Sequence, residues 1–274
     1  MALQSARFGD EEPRFKPSAM ALTPRFPAWR FHAQADFTAF LKTHQSVLDS
    51  RHLYQLSLAT REARLESPGT CAICLHPTCF SSAVNGEILN DGKRMPNWRE
   101  EMQCGCARRL NNRQRALLHL AQGCGLLDWM KSLLLGAPPD FALAYRDLAP
   151  EILPVPRFRF ESGKAVLPVE SEACHFAISQ DELQDIEPLG SALDELARVL
   201  VPGGRLIFSV PFYFDQAESV CGVGQGIRSG ANRLGWDVLE RLKQAGFADA
   251  EALLYWSEEL GYLGNMNFAF LAVK

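Results

Sequence analysis

Cysteine supplies the clearest chemistry in this chain. Cys71 and Cys74 form a C-x-x-C pair inside the loop-like stretch SPGTCAICLHPTCFSSAVNG, and Cys104 with Cys106 forms a second pair after a gap of 29 residues. Thiolates paired at a short bite on two turns suit tetrahedral Zn²⁺, because both sulfurs of a pair reach one ion without straining the backbone. The spacing therefore predicts one zinc ion held by Cys71, Cys74, Cys104 and Cys106. The second pair is C-x-C rather than C-x-x-C, which leaves Cys79 and His76 open as the fourth ligand. The plainer alternative is that these are buried free cysteines. A redox pair is disfavoured, since no βαβ pattern surrounds the C-x-x-C.

Other candidate groups are less specific. Arg108, Arg109, Arg113 and Arg115 crowd the start of the stretch ARRLNNRQRALLHLAQ. They could hold an anionic group bidentately, but a solvated face or ion pairs with acidic residues of the chain is the commoner outcome. Gly222, Gly224 and Gly226 read as G-x-G-x-G, yet they neither follow a strand directly nor open a helix with a partner acid. A flexible or trimmed loop explains them better. His44 and His52 have no partner motif and read as ordinary helix residues.

The elements that must position these groups are legible in part. In GSALDELARVLVPGGRLIFSVPF (190–212), Leu193, Leu196, Ala197 and Leu200 recur at helical spacing behind a capping-box pattern at Ser191 and Asp194. Pro202-Gly203-Gly204 stops the helix, and Arg205 to Val210 is a short apolar run suited to a strand covered on both faces. His175 to Ser179 is a second such strand. Phe37, Phe40, Leu41, Val47, Leu48, Leu53, Tyr54 and Leu56 predict one long or two shorter helices between Ala35 and Leu65. Residues 1–33 mix Arg, Phe and Pro without periodicity and read as an extended arm.

Strand, acidic loop, helix, Pro-Gly-Gly, strand is an order that resembles the C-terminal half of class I S-adenosylmethionine-dependent methyltransferases of the small-molecule type. The resemblance runs from about Leu126 to Lys274 and rests on LLLGAPPD (133–140), VLPV (166–169), FAISQDELQDI (176–186) and the segment 190–212. GWDVLERLKQAGF (235–247) and LLYWSEELGYLG (253–264) resemble the closing helix and strands of one subgroup. A cysteine knuckle followed by LNNRQRALL is similar to the zinc-ribbon-bearing members of the same family. The resemblance implies an α/β fold with a Rossmann-like, mostly parallel sheet and helices on both faces. The organisation expected is an extended arm and helical segment over 1–66, a zinc-ribbon-like module over 67–115 and the methyltransferase-like domain over 116–274.

It further implies a cofactor site at the turn Gly136-Ala137, with Ser179 and Asp181 after the next core strand. Asp181, Glu182, Tyr213 and His175 are the candidates to orient or deprotonate a methyl acceptor. Several family acids are missing, however. A leucine stands for the acid within the first strand, Pro138 and Pro139 stiffen the turn, and EILPVP (151–156) is followed only by RFRF. Glu161 is the replacement acid that the sequence offers. Binding of S-adenosylmethionine is therefore expected to be weak or lost. The function implied is a methyltransferase-like protein acting on a small molecule; the alternative is a catalytically inactive scaffold or binding module with a protein partner.

Composition sets outer limits. With 28 basic and 32 acidic residues, a net charge of −4 gives no field that would gather nucleic acid. No window approaches about 20 consecutive apolar residues, so no membrane association is expected. Eight cysteines without a secretion signal fit reduced thiols or metal ligands and a cytoplasmic location.

Overall fold

The computed structural model describes residues 24–106, 108–125, 131–149, 151–153, 157–222, 226–227 and 230–274. The arm before residue 24 and Gly224 of the glycine run lie outside them. In chain order the elements are β1 (Ala28–Phe31), α1 (Gln34–Ser57), β2 (Leu65–Thr70), β3 (Pro77–Ser82), α2 (Asn112–Gly123), β4 (Lys131–Leu135), α3 (Pro139–Arg146) and β5 (Glu151–Leu153). There follow β6 (Arg159–Glu161), β7 (Lys164–Val166), β8 (Cys174–Gln180), β9 (Ile186–Glu187), α4 (Leu189–Val199), β10 (Leu200–Ser209), β11 (Gly226–Ile227), α5 (Val238–Gln244), β12 (Asp249–Tyr255) and β13 (Phe268–Val273).

The apolar runs at 131–135, 174–180 and 205–209 become neighbouring parallel strands in one seven-stranded sheet, ordered β1-β12-β13-β10-β8-β4-β5. β5, β4, β8 and β10 run parallel, β13 returns antiparallel beside β10, and β12 and β1 each reverse again. Side chains alternate across the sheet, as the pleat requires. Ala177, Leu206 and Phe208 point to the face covered by α1, α4 and α5. Phe176, Ile178 and Ile207 point to the face covered by α2, α3 and the cysteine-bearing segment. Two covered faces explain why these strands read as continuous apolar runs. The fold is thus a Rossmann-like α/β sandwich with a mixed sheet.

Local expectations meet the structure unevenly. Leu193, Leu196 and Ala197 are buried on α4 as the spacing predicts. The capping box does not form: the helix opens at Leu189 behind Pro188, and the Ser191 hydroxyl donates to the Pro188 carbonyl instead. Proline at the cap position fixes an extended backbone there, so the helix begins before Ser191 is reached. Pro202-Gly203-Gly204 forms a bulge between Leu200 and Arg205, with Gly203 at φ +75°. The stretch 34–57 is one uninterrupted helix of 24 residues. Ahead of it, β1 pairs with β12 from Ala28↔Tyr255 to Phe31↔Ala252, so part of the N-terminal segment is an edge strand of the main sheet.

Candidate functional site

After β4 the chain turns to β5 on one side, then crosses to β8 on the other. At such a reversal the loops leaving the two strands diverge, and open α/β sheets hold ligands in the crevice outside the carboxyl ends. Here that point lies between Gly136, which follows β4, and Asp181-Glu182, which follow β8. A cavity of about 790 Å³ opens there, lined among others by Leu153, Gly136, Ala137, Pro138, Arg157 and Glu182. This volume is in the range of small-molecule sites.

Gly136 is required twice over. Its φ of +64° is left-handed, and a Cβ there would stand 2.5 Å from the Gln180 carbonyl oxygen and 3.0 Å from the Glu182 Cβ. The backbone of one strand end therefore lies against that of the other, and Glu182 is laid across the glycine. Glu182 Oε1 is buried with no hydrogen-bond partner among the described residues. Burial raises the Glu182 carboxyl above the usual range; the charge of Arg157 works against this and that of Asp185 adds to it. Glu182 lines the cavity, and an unpaired buried carboxylate oxygen is costly enough that a donor entering beside it would be favoured.

Asp181 is placed differently. Arg99 reaches it with two bonds, Nη1 to Oδ2 at 3.1 Å and Nη2 to Oδ1 at 2.5 Å. Arg113 Nη1 donates to Oδ2 as well, and Ser209 Oγ donates to Oδ1 at 3.1 Å. Glu100 completes the group by accepting from Arg113 Nη2 at 2.5 Å and from Arg99. Burial lowers the Arg113 guanidinium to about 10. Of the arginine cluster, Arg113 thus makes ion pairs, Arg108 pairs with Asp147, and Arg115 is fully buried on backbone carbonyls of Leu260, Met102 and Gly261.

The remaining sequence candidates scatter. Ala137 lines the cavity. Ser179 is fully buried within β8, its hydroxyl without a partner among the described residues. Glu161 is exposed at the end of the β6–β7 hairpin, opposite Lys164, and is not among the cavity residues. His175 lines a separate cavity with Lys131 and Glu172, and Tyr213 is 36% exposed. Glu182 was a candidate only toward the methyl acceptor, and its position over Gly136 is new; the one signal in the sequence was a second acid, two residues after the end of β8.

The cysteines form a second centre. β2 and β3 pair as a hairpin, and its tip folds as a knuckle in which Leu75 N–H donates to Cys71 O and Cys71 N–H to His76 O. Leu75 adopts φ +58° to close it. Ser81 and Gln103 exchange backbone bonds of 2.9 and 2.7 Å, which brings Cys104 beneath the knuckle. The sulfurs of Cys71, Cys74 and Cys104 lie within 4.8 Å of one another, with Cys74 and Cys104 at 3.9 Å. Zn–S bonds of ~2.3 Å in a tetrahedron place sulfurs ~3.8 Å apart, so this donor set fits zinc. Cys104 bonding lowers the Cys71 thiol, and the same contact with burial pushes Cys104 up to about 12, as expected of thiols crowded together. Cys106 is not in this group; its N–H donates to Cys104 Sγ at 3.4 Å. Cys79 and His76 are exposed.

No family model and no curated protein matches this chain. Among solved structures it is similar to an S-adenosylmethionine-dependent methyltransferase from Mesorhizobium loti, at 16% identity over 58% of this chain and 100% of that one, with a TM-score of 0.36. A second, from Aquifex aeolicus, shares 14% identity over 57% and 88%, at 0.33. A third is the 1,6-didemethyltoxoflavin-N1-methyltransferase of Burkholderia thailandensis, with 14% identity over 58% and 76%, at 0.33. At these scores the likeness adds no weight to the fold, which rests on strand order and register.

Proposed function

We propose that this chain is an S-adenosylmethionine-dependent methyltransferase-like protein acting on a small molecule in a reducing, cytoplasmic compartment, with zinc bound by its cysteine module. The observation that carries the reading is Glu182, which lines the crevice beside Gly136 at the switch point of the sheet and has a buried carboxylate oxygen without a partner among the described residues. An acid missing from β4 is thereby supplied from the end of β8. Gly136 and Glu182 would hold the ammonium end of the cofactor. Arg157, which follows β5, also lines the crevice and offers the ribose hydroxyls of such a cofactor no carboxylate, so that end would fit poorly. S-adenosylmethionine supplies a methyl group on a sulfonium when bound; this chain's own part is to bind and orient, because an in-line transfer needs proximity more than a strong base.

Cys71, Cys74 and Cys104 would hold the metal, with Cys106, two residues beyond Cys104, as the nearest fourth thiolate in sequence. Loss of a charge-assisted bond to the ribose costs ~1.5 to 3 kcal/mol, or roughly tenfold to a hundredfold in affinity. Calorimetric titration of the full chain should therefore give saturable binding of S-adenosylmethionine that is weaker than micromolar and is abolished by Gly136→Val. Absence of saturation at ~10 mM would overturn it. The second reading, an inactive scaffold, is favoured by Asp181, which is consumed by Arg99 and Arg113, and by the two prolines of the turn.

A further inference from the structure

Asp181 is the point at which the two centres meet. It is a non-glycine residue in the left-handed region, at φ +56°, where backbone strain persists only if the surroundings over-determine it. Four groups do so: its N–H donates to Ser209 O at 2.9 Å, and Ser209 Oγ, Arg99 and Arg113 hold its carboxylate. The next residue is Glu182, so the geometry at Asp181 fixes where the crevice carboxylate falls.

The two arginines come from one short segment with Cys104 in its interior. Arg99 precedes Cys104 by five residues and Arg113 follows it by nine. The segment is closed on itself, since Asn112 N–H donates to Glu101 O at 2.9 Å and Cys104 N–H to Leu110 O at 3.0 Å. It is fastened to the hairpin by the Ser81–Gln103 pair and by the sulfur cluster. Arg113 is nearly buried, at 9% side-chain exposure, so its position follows that of the segment and not solvent.

We propose that Arg99 and Arg113 are positioning residues that couple the sulfur cluster to the crevice: a loaded cluster fixes Cys104 against Cys71 and Cys74, the segment presents both guanidinium groups to Asp181, and Asp181 holds Glu182 across Gly136. Metal loss releases the turn after β8. By linkage, a ligand that binds the ordered crevice tightens metal binding by the same factor. The coupling rests on the zinc reading of the three cysteines, and not on which ligand the crevice takes.

Hydrogen exchange of the full chain tests it, with zinc content measured on the same samples. In the zinc-loaded protein, amides over 178–186 are expected to be protected. Chelation should speed their exchange about tenfold or more, as should Arg113→Met and Asp181→Asn with zinc still bound, while β12 and β13 stay unchanged. The unchanged strands separate release of one turn from global unfolding, and Asp181→Asn serves if Arg113→Met does not fold. A chain that takes up zinc but exchanges identically over 178–186 with and without it refutes the coupling. A chain that takes up no zinc refutes the metal reading, and the coupling with it.

Discussion

Replacing Arg115 by methionine isolates an unusual piece of packing. Arg115 is 0% exposed and makes no ion pair among the described residues. Its guanidinium donates to Leu260 O at 2.5 Å, Gly261 O at 2.9 Å and Met102 O at 3.1 Å. It also lies 4.2 Å from the ring centre of Phe80 and 5.0 Å from that of Tyr262. It thereby joins α2, the cysteine module and the turn before β13. Arg115→Met strands three carbonyls at ~1 to 3 kcal/mol each and removes two cation–π contacts of ~1 kcal/mol or more. Against this, a charge no longer has to be kept out of water, a relief of several kcal/mol. The larger sum wins, and the net loss is expected near ~3 kcal/mol. Urea unfolding of zinc-saturated protein would read this as a lower midpoint at constant m-value, and heating as a Tm lower by roughly 6 to 12 °C. Arg115→Lys should lose at least as much, because a point charge cannot serve three carbonyls from one plane. A neutral or stabilised Arg115→Met would refute the reasoning, for it would mean that the buried charge is the larger quantity.

The other expectations are simpler. Leu196→Ala removes a fully buried side chain from α4 and should cost ~2 to 5 kcal/mol in chemical denaturation; a loss under ~0.5 kcal/mol would mean that this face is not packed. Elemental analysis should find one zinc per chain, lost when Cys71→Ser and Cys104→Ser are combined, and less than about a third of an equivalent in the parent chain would rule the site out. Glu182 has a carboxyl pKa raised by burial. Its ionisation penalty is absent below the ordinary glutamate value and grows as pH rises through the raised one. Glu182→Gln should therefore stabilise the protein more at pH 8 than at pH 4, and an equal effect at both would show that the carboxylate is not desolvated.

How much of this could be read beforehand depended on whether the determinants were local. Leu193, Leu196 and the run after Pro202-Gly203-Gly204 announced a helix on a buried strand, because periodicity and a proline stop act within a few residues. Gly136 was named through the resemblance, and its φ of +64° is the physical reason that a glycine stands there. The sulfur cluster was legible as to its members Cys71, Cys74 and Cys104, through their spacing. The clasp on Asp181 was not, since its partners are 82 and 68 residues away and an arginine run says nothing of which carboxylate it will meet. Nor was β1: the alternation of Trp29 and Phe31 with Arg30 is only four residues long and follows a run of prolines and arginines that reads as an arm, and its place is set by β12. The expected capping box failed because Pro188, three residues upstream of Ser191, fixed the helix start first.

The pairing of β1 with β12 also sets the order in which the molecule can be finished. Ala28 meets Tyr255 across the sheet, so a ribosome that has made the first strand needs roughly 10 to 45 s more to deliver its partner at ~5 to 20 residues per second. Until then Trp29 and Phe31 can pack only on the Phe37, Phe40 and His44 rings of α1, and the backbone groups of β1 have no partner strand. Contacts of such long range slow folding, and a bare strand rim is a template for pairing with another chain. The nascent protein therefore has its period of greatest exposure to aggregation early and relieves it last, and conditions that slow the final docking of β1 should lower soluble yield before they alter the stability of the finished fold.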